Sequence, residues 1–209
     1  MKVIGDWRVD DERVPTFDPA TLAGLVRRVH DAGGRVAIHA ILAETVEMAV
    51  AAGCDSIEHG TFAAETMVAA IADRGIALTP TIGAVTSPVP DDAAPATHEW
   101  ARAMGQSIRR VVRDAWEAGV VLLAGSDIAI AHGEIRREIE LLAACGLPAE
   151  AALAAGSWAA RAFLGLPGIE EGAPADVVAY ARDPREDLFV LAEPVAIVLD
   201  GRPVEVRRH

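Results

Sequence analysis

Apolar and polar positions alternate between two rhythms up to residue 171. Short β-rich runs are separated by longer stretches in which apolar residues recur three and four positions apart. Met1 to Gly5 reads as a strand, and residues 6–17, polar and interrupted by Pro15, read as a loop. Asp18-Pro19 is a helix start, an N-cap followed by proline in the first turn. Leu22, Leu25, Val26 and Val29 then keep helical spacing until Gly33-Gly34. Arg35 to Ala40 is the next strand and Ala43 to Ala52 the next helix. Asp55 to Glu58 is a strand, Ala63 to Asp73 a helix, and Gly75 to Thr81 a strand ending in TPT. Residues 83–97 form a Pro-rich loop long enough to serve as a lid or substrate loop. A long helix runs from His98 to Ala118, and a strand from Val120 to Ala124 leads into GSD. Glu134 to Ala144 and Pro148 to Leu164 read as helices.

Strands alternating with helices predict an α/β fold, a parallel sheet covered by helices, with five strands before Asp127. After Gly172 the rhythm changes to short β runs at Asp176–Tyr180, Val195–Leu199 and Val204–Val206, with Asp200-Gly201 as a hairpin turn. Residues 1–171 are thus expected to form one unit and residues 172–209 a small β appendage.

The stretch from Arg35 to Thr61 organises the chemistry. A histidine ends each of its strands, His39 in VAIHA and His59 in SIEHG. Parallel strands joined by a helix run the same way, so both histidines should reach one face. In α/β barrels that face holds the active site. Two imidazoles there suit one metal ion, although each can also be a hydrogen-bonded packing residue. Asp127, just past VLLAGS, can bind a metal, act as a general base on water, or cap a following helix. Lys2, in the first strand, is either an ordinary lysine near a terminus or an amine carboxylated by CO2 into a bridging anion. His132, in AHGE, is a substrate contact or a polar loop residue. Ser157 lacks a nucleophile elbow, and no glycine-rich phosphate loop is present.

Composition narrows the classes. The formal net charge of −12 argues against a nucleic-acid partner. No apolar run is long enough to span a bilayer, so no membrane role is expected. The start, MKVIGDWRVDDER, has no apolar core of a signal peptide. Cys54 and Cys145 sit in no motif and are expected as reduced thiols, which suits the cytoplasm.

Five segments in order, KVIGD, VAIHA, SIEHGT, LTPT and AGSD, resemble the metal-dependent amidohydrolase superfamily, most of all its imidazolonepropionase-like and prolidase-like branch. The tail is similar too, in GLPAEAALAAGSWAARAFLGL, GIEEGAPADVVAYARDPRED and VAIVLDGRPV. The resemblance implies a TIM-type (β/α)8 barrel with one or two divalent metals, zinc suiting the ligands, though manganese, iron or cobalt do as well. It maps Lys2 to the carboxylated lysine of strand four, His39 and His59 to the ligands of strands five and six, and Asp127 to the strand-eight aspartate. That aspartate binds the more buried metal and shuttles the proton of the attacking water. The implied activity is hydrolysis of a C–N bond in an amide, dipeptide or cyclic amide, with a small-molecule substrate.

One departure stands out. The family's first strand carries a His-x-His pair, and this sequence has none. The chain resembles the carboxyl-terminal portion of such an enzyme, an incomplete barrel of strands four to eight with a remnant of the family's β-sandwich. An open barrel exposes backbone edges and apolar faces. The expectation is therefore a homo-oligomer or a chain that needs the missing amino-terminal half. An inactive fragment or subunit is the alternative to an active enzyme, and a mononuclear site built from Lys2, His39, His59 and Asp127 is a further one.

Overall fold

The computed structural model describes residues 1–9, 12–131 and 133–205. The chain begins with β1 (Lys2–Ile4) and a hairpin of β2 (Asp6–Val9) and β3 (Glu12–Pro15), followed by α1 (Pro19–Asp31). Three βα units come next: β4 (Ala37–Ala40) with α2 (Ala43–Ala52), β5 (Ser56–His59) with α3 (Glu65–Asp73), and β6 (Ala77–Thr79) with α4 (Ile82–Val85) and α5 (Pro95–Glu117). Then follow α6 (Arg136–Ala144), α7 (Ala149–Ala155) and α8 (Trp158–Leu164), and finally β7 (Val177–Tyr180), β8 (Pro194–Leu199) and β9 (Arg202–Val204). Strands β1, β4, β5 and β6 form one parallel sheet in that order, and β7, β8 and β9 an antiparallel one.

Register explains how the parallel sheet separates core from chemistry. Val3, Ile38, Ile57 and Leu78 are paired in one row across the four strands. Ile38, Ile57 and Leu78 are wholly buried, in one apolar cluster with Leu22, Val46, Ile71 and Ile108 from the covering helices. Burial of each such side chain contributes about 1.5–3 kcal/mol. Side chains alternate faces along a strand, so the neighbouring row lies on the opposite face. That row is Ile4, His39, Glu58 and Thr79, and it carries polar groups. Asp18 caps α1 as expected: its Oδ1 accepts from the Ala20 and Thr21 amides at 3.0 Å each. Cys54 and Cys145 are buried free thiols, and burial pushes the Cys54 thiol up to about 12. Among the described residues no helix is long and apolar enough to cross a membrane.

Four expected elements differ. Residues 6–17 are not a loop, because β2 and β3 pair antiparallel from Asp6↔Pro15 to Val9↔Glu12. Asp6 to Val9 alternates polar and apolar residues, but the run is only four residues long and Trp7 and Val14, paired on its apolar face, are exposed, so the signal was weak. The 83–97 segment is shorter than expected, since α4 occupies its start and α5 begins at Pro95. The strand expected at Val120–Ala124 is reduced to a single parallel bridge between Leu78 and Leu122. Its ladder stops because Ala124 turns its amide to the Ala155 carbonyl instead. The expected helix from Pro148 to Leu164 breaks at Gly156-Ser157, where Ser157 has an extended φ of −141°. The break lets Gly156 lie against Ile139 of α6, where an added Cβ would come within 2.7 Å of its side chain.

Candidate active site

The carboxyl ends of β4 and β5 bring two imidazoles together, as the strand directions required. His39 lies in the polar row, opposite Glu58, while His59 pairs with Ala40 and belongs by alternation to the helix side. His59 is nonetheless turned back, because its φ is +71°, in the left-handed region. Gly60 follows at φ +61°, where a Cβ would also strike Leu78 Cδ1 at 2.7 Å. This backbone reversal seats His59 Nε2 2.8 Å from His39 Nδ1, with the rings edge-to-face. Thr81 (φ +46°) and Asp127 (φ +40°) share the left-handed backbone. For residues other than glycine such conformations cost about 1–3 kcal/mol each and cluster at functional sites.

Thr81 fixes where the His59 proton sits. The Thr81 hydroxyl donates to the Pro80 carbonyl at 2.8 Å, so its oxygen can only accept from His59 Nδ1, 2.6 Å away. Nδ1 therefore carries the hydrogen, and the Nε2 lone pair accepts from His39 Nδ1, with Asp127 on the same side. Burial, then the neighbouring His39 charge, holds the His59 pKa down to about 3, so the ring stays neutral. Asp127 Oδ2 lies 3.8 Å from the same Nε2. Gly125 makes this approach possible, since a Cβ there would meet Thr79 Cγ2 at 2.6 Å. Asp127 does not cap a helix, because the next one begins at Arg136.

Lys2 forms an ion pair with Glu58 and is among the charges that lower the His59 pKa. Its Nζ lies 3.6 Å from Glu58 Oε2, and Glu58 Oε1 also accepts from Ser56 Oγ at 3.0 Å. His132 lies outside the described residues. Among the described residues no group of three or more His, Cys, Asp or Glu side chains could hold a metal ion on its own. Two nitrogens on one tetrahedral zinc stand about 3.3 Å apart. The His39–His59 pair, at 2.8 Å, would need to open by about 0.5 Å to reach that spacing. The donor types fit an ion, provided that the His39 hydrogen moves from Nδ1 to Nε2 so that both facing nitrogens offer a lone pair.

Four residues escaped the sequence reading. Asp6 is fully buried, its Oδ2 accepting from the amides of Ile41 (2.8 Å) and Leu42 (3.0 Å). Arg13 Nη1 donates to Asp6 Oδ1 at 2.9 Å and lies 3.4 Å from His39 Nε2. Burial works to raise the Asp6 pKa, but His39, the Leu42 and Ile41 amides and Arg13 together bring it down to about 2. Asp6 follows its strand as Asp127 follows VLLAGS, so the same signal marked it. Nothing local marked Arg13, Glu58 or the hydroxyl of Thr81, whose partners are distant in sequence. Behind Thr81, the buried Glu138 of α6 accepts from the Ile82 amide at 2.6 Å and the Gly83 amide at 3.0 Å. Glu138 thereby anchors the residues that follow Thr81 to α6.

The Amidohydrolase family model matches residues 2–204. The chain belongs to the amidohydrolase family. An uncharacterized protein of Mycobacterium bovis is 34% identical over 97% of this chain and 57% of its own length. Ochratoxinase of Aspergillus niger is 28% identical over 91% of this chain and 41% of its own. A solved Xaa-Pro dipeptidase with methionine bound in its active site superposes with a TM-score of 0.82 at 30% identity, covering 92% of this chain and 50% of that one. The chain thus spans about half the length of the relatives it matches. The prolidase-like resemblance is met by these neighbours, and the α/β fold with its parallel sheet matches their architecture.

Proposed function

We propose that this chain works as a metal-dependent amidohydrolase that cleaves a carbon–nitrogen bond in a small amide, dipeptide or cyclic amide. The observation that carries the reading is the convergence of His39 Nδ1, His59 Nε2 and Asp127 Oδ2 at the carboxyl end of the sheet. Its likeness to an Xaa-Pro dipeptidase and to ochratoxinase supports the choice of bond. A divalent ion, best zinc given two imidazoles, supplies Lewis-acid chemistry there, polarising a carbonyl and lowering the pKa of water. His39 and His59 hold the ion, with Asp127 and a carboxylated Lys2 as the remaining donors. Carboxylation exchanges the Lys2–Glu58 ion pair for two like charges, so the modified lysine requires a cation beside it. Asp127 Oδ2 takes a proton from the attacking water and returns it to the leaving nitrogen. His132 is assigned to the substrate, and the cytoplasm to the protein. The test is metal content and amide hydrolysis of the chain and of Asp127→Asn. Asp127→Asn should keep its metal and lose turnover, whereas turnover near that of the native chain would remove Asp127 from the role of base.

Exposed apolar groups favour a second reading, in which further polypeptide completes the site. Ile4, in the same row as His39, is 41% exposed, and Val178, Val195 and Leu199 of the antiparallel sheet are exposed as well. A second copy or a separate chain covers these surfaces in that reading, and the chain alone binds no metal and hydrolyses nothing. A monodisperse monomer in sedimentation that binds stoichiometric zinc would refute it.

A further inference from the structure

Two side chains of opposite character meet one nitrogen of His39. Asp6 and Arg13 belong to the β2–β3 hairpin, and both stand at His39 Nε2, the ring nitrogen that does not face His59. Arg13 Nη1 is 3.4 Å from Nε2, and Asp6 Oδ1 is 3.6 Å from it. A guanidinium only donates and a carboxylate only accepts. Arg13 therefore favours a lone pair on Nε2, with the ring hydrogen on Nδ1, whereas Asp6 favours the hydrogen on Nε2. A neutral imidazole carries one ring hydrogen. The partner that prevails thus decides whether Nδ1 offers a lone pair towards His59.

The two partners are not held equally. Asp6 is fully buried, and its Oδ2 is fastened by the amides of Ile41 and Leu42, which follow the His39 strand. Gly5 sets the approach of the two segments. Its amide donates to the His39 carbonyl at 2.9 Å, and a Cβ there would come within 2.6 Å of the same oxygen. Arg13 takes one lone pair of Asp6 Oδ1 at 2.9 Å, and a carboxylate oxygen has a second to give. That oxygen stands about 0.6 Å beyond the usual N–H···O length from Nε2. The Arg13 side chain, in contrast, is 24% exposed. We propose that Asp6 is a positioning residue that places the His39 hydrogen on Nε2, so that Nδ1 is free to hold a metal ion, and that Arg13 opposes it. Metal-binding histidines are commonly oriented by such carboxylates. The proposal rests on the metal-dependent reading for the ion, but the ring hydrogen can be read without one.

The test uses the full chain with 15N-labelled histidine, the His39 ring signals being identified by their loss in His39→Gln. Ring nitrogen shifts report which nitrogen carries the hydrogen. Asp6→Asn keeps the size of the side chain. The Ile41 and Leu42 amides only donate, so they hold the Asn oxygen and turn its NH2 towards His39. The form with hydrogen on Nε2 should then lose population, and Arg13→Met, which removes the competing donor, should raise it. Zinc affinity, measured by chelator competition, should fall about 10–100-fold in Asp6→Asn and rise in Arg13→Met. General loosening of the hairpin would not move the two variants in opposite directions. Native ring populations or native zinc affinity in Asp6→Asn overturns the proposal. So does a folded Arg13→Met that binds zinc no more tightly than the native chain, or a zinc-loaded native chain without hydrogen on His39 Nε2. If Arg13→Met does not fold, the Asp6→Asn and native spectra decide alone. A native chain that binds no zinc counts against the hydrolase reading, and the ring populations of the variants still decide the roles of Asp6 and Arg13.

Discussion

Replacing Thr81 with valine tests whether the site depends on a hydroxyl that touches no substrate. The side chain keeps its branched shape but no longer accepts the hydrogen of His59 Nδ1. Thr81 and His59 are 3% and 5% exposed, so water has little access to the abandoned N–H. An unsatisfied buried donor of this kind costs about 1–3 kcal/mol of stability. The ring then has no reason to keep its hydrogen on Nδ1. With the hydrogen on Nε2 instead, the nitrogen facing His39 and Asp127 has no lone pair to offer. Loss of such orienting partners lowers metal affinity by about 10–100-fold. The assay is zinc affinity by competition with a chromophoric chelator, alongside urea unfolding. Thr81→Ser is the control, because it keeps the hydroxyl while easing a β-branched residue at φ +46°. It should stay close to the native chain in both measurements. The reasoning fails if Thr81→Val binds zinc as tightly as the native chain, or if Thr81→Ser falls as far as the valine variant.

Two pH effects follow from buried carboxylates of opposite sign. The drop of the Asp6 pKa from 3.8 to about 2 is worth about 2.5 kcal/mol, present above pH 3.8 and lost as pH falls towards 2. Asp6→Asn should therefore be less stable than the native chain at neutral pH, with a gap that narrows to acid pH in parallel unfolding curves. Burial raises the Glu138 pKa above 4.5, more than its two amide partners lower it, so its ionisation costs stability as pH rises beyond 4.5. Glu138→Gln should lose about 1–3 kcal/mol, because an amide nitrogen now faces a backbone donor. It should also show a flatter stability profile than the native chain from pH 4.5 to 7, and an unchanged profile would remove Glu138 as the cause.

Legibility in the sequence followed the range of the interactions. Helix α2 was read at its observed limits, and its stop is a local signal, Gly53 at φ +79°, although Leu42 supplies no side-chain cap at its start. The meeting of His39 and His59 needed only the direction of two parallel strands. The hairpin at residues 6–15 was invisible because its strands bury no continuous apolar face. The strand at Val120–Ala124 has the right composition, but composition does not determine whether a neighbour completes the ladder. The left-handed backbone at His59, Thr81 and Asp127 had no signal either, since none of them is glycine and the surrounding structure imposes the conformation.

The carboxylate of Glu138 also bears on how the molecule comes apart. Beyond β6, among the described residues, the backbone of residues 120–124 bonds to the sheet through Leu78 alone, whose amide and carbonyl bond to Val121 and Leu123. A single bridge makes a weak seam in a parallel sheet. Glu138 crosses it from α6, tying the later part of the chain to the amides that follow β6. Cooperative units separate where few buried contacts and hydrogen bonds join them. Partial opening of the native state should therefore begin along this seam, parting Asp127 from His59 while both histidines stay on intact strands. The base would leave the site before its partners did, so activity would fade at milder denaturant than the loss of the sheet.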